Sequence, residues 1–180
     1  MTLFKNTFRI ESTRLKGYDY SHPGDYFATI CVRNHECILG DVEQEIMNLS
    51  NVGNIAKKCW EQIPDHFHYV TLDEFIVMPN HIHGIIIIND QRGRDVQLNV
   101  STKDSSAIIS PKKGTLSVII RTYKAAVTRE CRRIGSNEFR WQPGFYEHII
   151  RDEKGLQHIR DYIINNPIKW FYDRENPIFN

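Results

Sequence analysis

Two histidines one residue apart, His81 and His83, lie inside Met78-Pro79-Asn80-His81-Ile82-His83-Gly84, just ahead of Ile85-Ile86-Ile87-Ile88. The β-branched run marks a strand, and alternation along a strand sends both imidazoles to one face while Ile82 points to the other. Two imidazoles about 7 Å apart on one face can grip a single divalent cation. Being neutral, they leave the cation its full charge, which suits it to polarise a phosphodiester. Nearer the C-terminus, His158-Ile159-Arg160-Asp161-Tyr162-Ile163-Ile164-Asn165-Asn166-Pro167 reads as a helix stopped by Pro167, with Tyr162 and Asn166 one turn apart on one face. A cation near a phenol favours the phenolate, and a phenolate can take a phosphoryl group covalently. These residue types point to phosphodiester cleavage through a phosphotyrosine, which stores the bond for rejoining.

Asn166, or Asn165, could add a carbonyl oxygen to the two imidazoles. Imidazoles alone favour Zn²⁺, whereas an amide oxygen and a phosphate favour Mg²⁺ or Mn²⁺. Blander placements exist for each residue. An His-x-His pair can serve packing alone, and Tyr162 lies one step from the apolar stripe of its helix, where a boundary core residue would sit. His66-Phe67-His68 repeats the spacing but follows the Pro64-Asp65 break, where both rings should be exposed. His158, four residues before Tyr162, could pass a proton to the phenol or be an exposed helix residue.

Positioning these side chains requires a sheet and a facing helix. Asp25 to Val32 is the first expected strand, opened by Pro23-Gly24. Asp41 looks like an N-cap for a helix running to about Gln62 on Val42, Ile46, Leu49, Ile55, Ala56, Cys59 and Trp60. Tyr69 to Met78 and His81 to Ile88 should form an antiparallel hairpin. Asn89 to Lys113 is polar and aperiodic, the one candidate for a mobile loop. A helix is expected from about Thr115 to Ile134, burying Leu116, Ile119, Ile120, Tyr123 and Val127. Gln142-Pro143-Gly144 divides Glu138–Trp141 from Phe145–Ile150, as a short hairpin or a bent strand. Asp152 should cap the last long helix. The order β-α-β-β-α-β-α predicts an α+β fold, an antiparallel sheet with helices mainly on one face, in a single domain spanning 1–180 with its core at about 25–170.

The chain has 180 residues, 41% of them hydrophobic and 25% charged, which are ordinary globular proportions. Four cysteines without a CxxC pair suggest reduced thiols, and no apolar run reaches the roughly 20 residues of a membrane helix, so a cytoplasmic protein is expected. A net charge of +1 is uninformative, but its distribution is not. Between Pro111 and Arg133 lie Lys112, Lys113, Arg121, Lys124, Arg129, Arg132 and Arg133 against a single acidic residue, Glu130. Such a stripe is either a solvated helix face or a footprint for a nucleic-acid backbone.

Phe75-Ile76-Val77-Met78-Pro79-Asn80-His81-Ile82-His83-Gly84 resembles the HUH motif (His, hydrophobic, His) of single-tyrosine transposases. Trp141-Gln142-Pro143-Gly144-Phe145-Tyr146-Glu147-His148-Ile149-Ile150-Arg151-Asp152 and Asp161-Tyr162-Ile163-Ile164-Asn165-Asn166-Pro167 resemble the C-terminal signature of REP-associated tyrosine transposases and their insertion-sequence relatives. Ser117 to Arg129 is similar to the family's middle helix. The resemblance implies a ferredoxin-like or RRM-like sheet with the histidines on a central strand. It implies Mg²⁺- or Mn²⁺-dependent cleavage and joining of single-stranded DNA at hairpin-flanked ends, through a 5′-phosphotyrosine and a free 3′-OH. His81 and His83 become metal ligands, Tyr162 the nucleophile and Asn166 the third ligand, where many insertion-sequence members carry Gln. It also implies hairpin DNA as partner to the basic stripe, use at the nucleoid, and either a homodimer, as in insertion-sequence members, or a monomer. Two other functions fit the same residues: a domesticated protein that holds hairpin DNA or RNA without cutting, and a metal phosphodiesterase that uses water.

Overall fold

A computed structural model describes residues 3–4, 7–8, 20, 22–90, 114–173 and 176–177 of the chain. After a two-residue ladder pairing Leu3–Phe4 with Thr7–Phe8, the elements run β1 (Gly24–Cys31), β2 (Gly40–Glu43), β3 (Ile46–Leu49), α1 (Asn51–Glu61), α2 (Ile63–His66), β4 (Val70–Val77) and β5 (His81–Ile88). They continue with α3 (Leu116–Arg133), β6 (Tyr146–Ile150), α4 (Glu153–Ile164) and α5 (Asn166–Lys169). Lys112, Lys113 and most of the expected loop from Asn89 lie outside the described residues.

β5 and β1, the two most apolar strands, are the inner strands of a four-stranded sheet ordered β4-β5-β1-β6, antiparallel throughout. Both faces are therefore covered. One face presents Tyr26, Ala28, Ile30, Ile82 and Ile86 to the main core, closed by Trp60 of α1 and Leu116, Ile119, Tyr123 and Val127 of α3. The other face carries a smaller core, in which Ile85 and Ile150 of the sheet meet Leu156 and Ile163 of α4. The α+β, antiparallel arrangement expected from the sequence is present, with α1 and α3 on one face and α4, followed by the short α5, on the other. Among the described residues no helix is long and apolar enough to cross a membrane.

Gly84 fixes how closely α1 approaches. It faces the main core, and a Cβ there would lie 2.3 Å from Cζ2 of Trp60, whose side chain is fully buried. Only a residue without a side chain admits the indole at this depth.

Two expectations are corrected, and one left open between two forms is decided. The helix expected to be capped by Asp41 is capped nine residues later, by Ser50, because residues 40–49 form the β2–β3 hairpin. Gln44 and Glu45 both take left-handed backbone angles, the geometry of a tight two-residue hairpin turn, without the Gly or Asn that would have announced it. Asp41 accepts from the Val42 N–H, while Ser50 caps α1 by accepting from Gly53 N–H at 3.0 Å. Of the two forms expected for residues 141–150, the bent strand is the one present: Trp141 bridges Val32 and β6 continues along β1, with Gln142-Pro143-Gly144 between. Finally, α4 ends at Ile164, and Asn166 opens the separate α5 with Pro167 in its first turn. Tyr162 and Asn166 are thus neighbours across a helix junction, not partners on one helix face. Asp152 caps α4 as expected, accepting from Gly155 N–H at 2.7 Å.

Candidate active site

His81 and His83 project from β5 toward the face crossed by α4. Their rings are 4.4 Å apart between centroids, 0% and 4% exposed respectively. Burial pushes the His81 ring far below its ordinary titration range, with His83 and His35 nearby adding to the effect, and pushes His83 down to about 3. At neutral pH both are uncharged imidazoles, the form that binds cations.

A second set of contacts fixes which nitrogen of each ring is offered. Asn80, fully buried, donates from Nδ2 to the His35 carbonyl at 3.0 Å, which turns its Oδ1 toward His81 Nδ1 at 2.8 Å. His81 must then carry its proton on Nδ1, and its Nε2 is left buried with no hydrogen-bond partner. Thr29, register partner of His83 on β1, meets His83 Nδ1 at 2.8 Å, while Tyr162 Oη lies 3.2 Å from His83 Nε2. With the Tyr162 hydroxyl as donor to Nε2, the Nδ1 proton points at Thr29, and in that tautomer His83, like His81, directs an Nε2 lone pair into the site. Asn166, 1% exposed, likewise holds a buried Oδ1 with no hydrogen-bond partner.

Two imidazole nitrogens and one amide oxygen are a donor set suited to a divalent cation, and two of these atoms are buried polar groups that otherwise have no partner. Among the described residues no group of three or more His, Cys, Asp and Glu side chains could hold a metal, so a cation here would need the amide oxygen. Thr29, His83, Tyr146, Tyr162, Asn166 and Lys169 line one open cleft of about 510 Å³. Tyr162 is 38% exposed within it, braced edge-on by Phe27 at 6.1 Å. Its helix is tied down two residues earlier, where Arg160 reaches Asp73 of β4 through two bonds of 2.9 and 2.7 Å. The guanidinium holds the Asp73 carboxyl below its ordinary range.

The other candidates fall elsewhere. His66, His68 and His158 are exposed and outside the cleft. In the basic stripe, Arg121, Arg129, Arg132 and Arg133 are exposed on α3, but α3 covers the sheet face opposite the histidines. Arg129 and Arg133 pair with Glu130 at 3.1 and 3.0 Å. Lys124 is different in kind: its ammonium donates to the carbonyls of Gln142 and Gly144 at 2.5 and 2.8 Å, stapling the loop that precedes β6. The sequence reading missed Thr29 and Asp73, which only strand register and a long-range pair bring to the site. It had Asn80 inside the motif but gave it no role.

No protein-family model matches the chain. A relative from Haemophilus influenzae, described as an uncharacterized protein, is 44% identical over 166 residues, 91% of this chain and 91% of that one, and the two belong to one family. A second protein of that organism, described as "Putative REP-associated tyrosine transposase", is 24% identical over 160 residues, 86% of this chain and 76% of its own. Among solved structures, a REP-associated tyrosine transposase bound to a REP hairpin shares the fold, with a TM-score of 0.58 at 23% identity over 91% of this chain and 77% of that one.

Proposed function

Proceeding from a chain related to the REP-associated tyrosine transposases in sequence and in fold, we propose that it cleaves and rejoins single-stranded DNA beside hairpins through a 5′-phosphotyrosine on Tyr162. One observation carries this reading. The phenol of an exposed tyrosine stands 3.2 Å from the offered nitrogen of a buried histidine, in a cleft shared with the buried amide oxygen of Asn166.

In this reading His81, His83 and Asn166 would hold Mg²⁺ or Mn²⁺, which when bound would supply charge stabilisation to the phosphate oxygens. The protein's own groups do the rest. Thr29 and Asn80 hold the imidazoles in the ligand tautomer, and α4 presents the phenol to the cleft. Attack by Tyr162 Oη forms the Tyr–O–P bond as the P–O3′ bond breaks. The phenol proton leaves to solvent on the open side, and the departing 3′ oxygen takes one up, so charge and atoms balance. Rejoining is the same exchange in reverse, with another 3′-OH displacing the phenol and needing no outside energy source. Arg121, Arg129, Arg132 and Arg133 offer cations to the DNA backbone beyond the cleft.

The test is a covalent-adduct assay with labelled single-stranded hairpins from the sequences flanking the gene, with and without Mn²⁺. A denaturation-resistant adduct that requires Mn²⁺ and disappears in Tyr162→Phe is the expected result. Cleavage that survives Tyr162→Phe would replace this reading with a water-using phosphodiesterase. Tight hairpin binding without any cleavage would replace it with a binding protein.

A further inference from the structure

We propose that Tyr146 and Tyr172 form a stacking cradle for one unpaired nucleobase beside the phosphate that Tyr162 attacks; this rests on the function proposed above. Tyr146 is 56% exposed and Tyr172 82% exposed, although large aromatic rings ordinarily gain by burial. They come from separate elements, β6 and the turn after α5, and line the same cleft as Tyr162 and Asn166.

Register locates Tyr146 relative to the chemistry. It pairs with Thr29, which pairs with His83, so the three side chains form one row on one sheet face. Two strand spacings place Tyr146 about 10 Å from His83, beyond the reacting centre but within the same cleft. The β6 ladder fixes the Tyr146 backbone, and Phe171 packs edge-on against the Tyr172 ring at 5.2 Å and 87°.

The cleft offers a nucleobase both kinds of contact it needs: most of its lining is apolar, while Thr29, His83 and Asn166 supply polar atoms, and Lys169 and Asp173 supply one charge of each sign. A flat π surface with polar edges meets the rings and the polar side chains together, and the phosphate joined to it can meet Lys169. Stacking of this kind accepts any base, because every base has a π face.

The probe is fluorescein-labelled dT12 and a matching abasic strand, titrated by anisotropy across a salt series. Tyr146→Ala with Tyr172→Ala should weaken dT12 binding about tenfold or more, leave the salt slope intact, and leave the abasic strand unaffected. Tyr146→Phe with Tyr172→Phe should retain wild-type affinity. Equal loss on the abasic strand, loss with the phenylalanine pair, or unchanged dT12 binding would each overturn the cradle. So would a change in oligomeric state by light scattering, which would give the rings to a second copy of this chain. Because both rings are exposed, the double alanine variant should keep its unfolding midpoint, which is measured alongside. Failure here separates from failure of the proposed function. Base-dependent loss without any Tyr162 adduct would sink the strand transfer alone, and an adduct with unaltered dT12 binding would sink the cradle alone.

Discussion

Replacing Gly84 with alanine drives one methyl group into the fully buried Trp60 indole of the main core. Its carbon would lie 2.3 and 2.9 Å from Cζ2 and Cε2 of Trp60 and 3.0 Å from Cβ of Phe75, whereas carbon pairs rest at about 3.5–4.0 Å. Relief therefore needs a shift of more than about 1 Å. Trp60 cannot rotate away easily, because Phe75 stacks on it at 5.9 Å and Tyr123 meets it edge-on at 5.2 Å. The shift must fall partly on β5 itself. Overpacking of this kind costs about 1–3 kcal/mol, and at this length each kcal/mol lowers Tm by about 2–4 °C. Gly84→Ala should therefore melt roughly 2–12 °C below wild type by differential scanning calorimetry. Since His83 is the next residue, Mn²⁺ affinity should fall as well. Trp60→Phe in the alanine background should recover part of the loss, giving a coupling of about 0.5–3 kcal/mol in the double-mutant cycle. A Gly84→Ala protein within 0.5 kcal/mol of wild type, or strict additivity with Trp60→Phe, would refute the argument.

Three further outcomes follow from the site. Asn80→Leu removes the acceptor that sets the His81 tautomer, so Mn²⁺ affinity by calorimetric titration should drop about 10–100-fold; an unchanged Kd would strip Asn80 of that role. Stability should depend on pH through the histidines: His83 has its folded value at about 3, below its ordinary 6.5, so its contribution is complete above 6.5 and lost as pH falls toward 3. In metal-free buffer, urea unfolding should show stability falling by about 1.4 kcal/mol per pH unit for this group in that window, and His83→Gln should remove that share of the slope. Lys124→Ala should loosen the Gln142–Gly144 loop without altering the salt dependence of DNA binding, whereas Arg121→Ala and Arg132→Ala should each reduce the single-strand salt slope by about 0.7. A reduced slope in the lysine variant would move its ammonium from the loop to the DNA.

The sheet was legible because its signals are strong and local. The His81–Ile88 strand has the bounds its isoleucines announce, α3 follows its apolar stripe to within a residue at either end, and Asp152 caps α4 as its position suggests. The β2–β3 hairpin was not legible, because Val42, Ile46 and Leu49 fall at helical spacing and the turn at Gln44-Glu45 adopts left-handed angles without glycine. The site divides the same way. His81, His83, Tyr162 and Asn166 declare themselves by type and spacing, and the last three line one cleft. Thr29 and Asp73 act only through a register and an ion pair spanning 87 residues, and no local pattern encodes either. Lys124 read as one more basic residue because the carbonyls it serves lie 18 and 20 positions away.

The unequal cores on the two sheet faces set a hierarchy of opening. α1, α3 and the sheet share one large buried cluster, whereas α4 meets the sheet through a cluster of only four buried residues, Leu156 and Ile163 of its own with Ile85 and Ile150, and through the Arg160–Asp73 pair. Segments with few buried contacts open at free energies below that of global unfolding. In native-state hydrogen exchange, the amides of α4 should lose protection in milder denaturant than those of α3 and β5, as a separate cooperative unit. The helix carrying the phenol can then lift from the sheet while the histidines stay seated in the larger unit. A bulky strand could thereby reach the buried nitrogens without the fold coming apart.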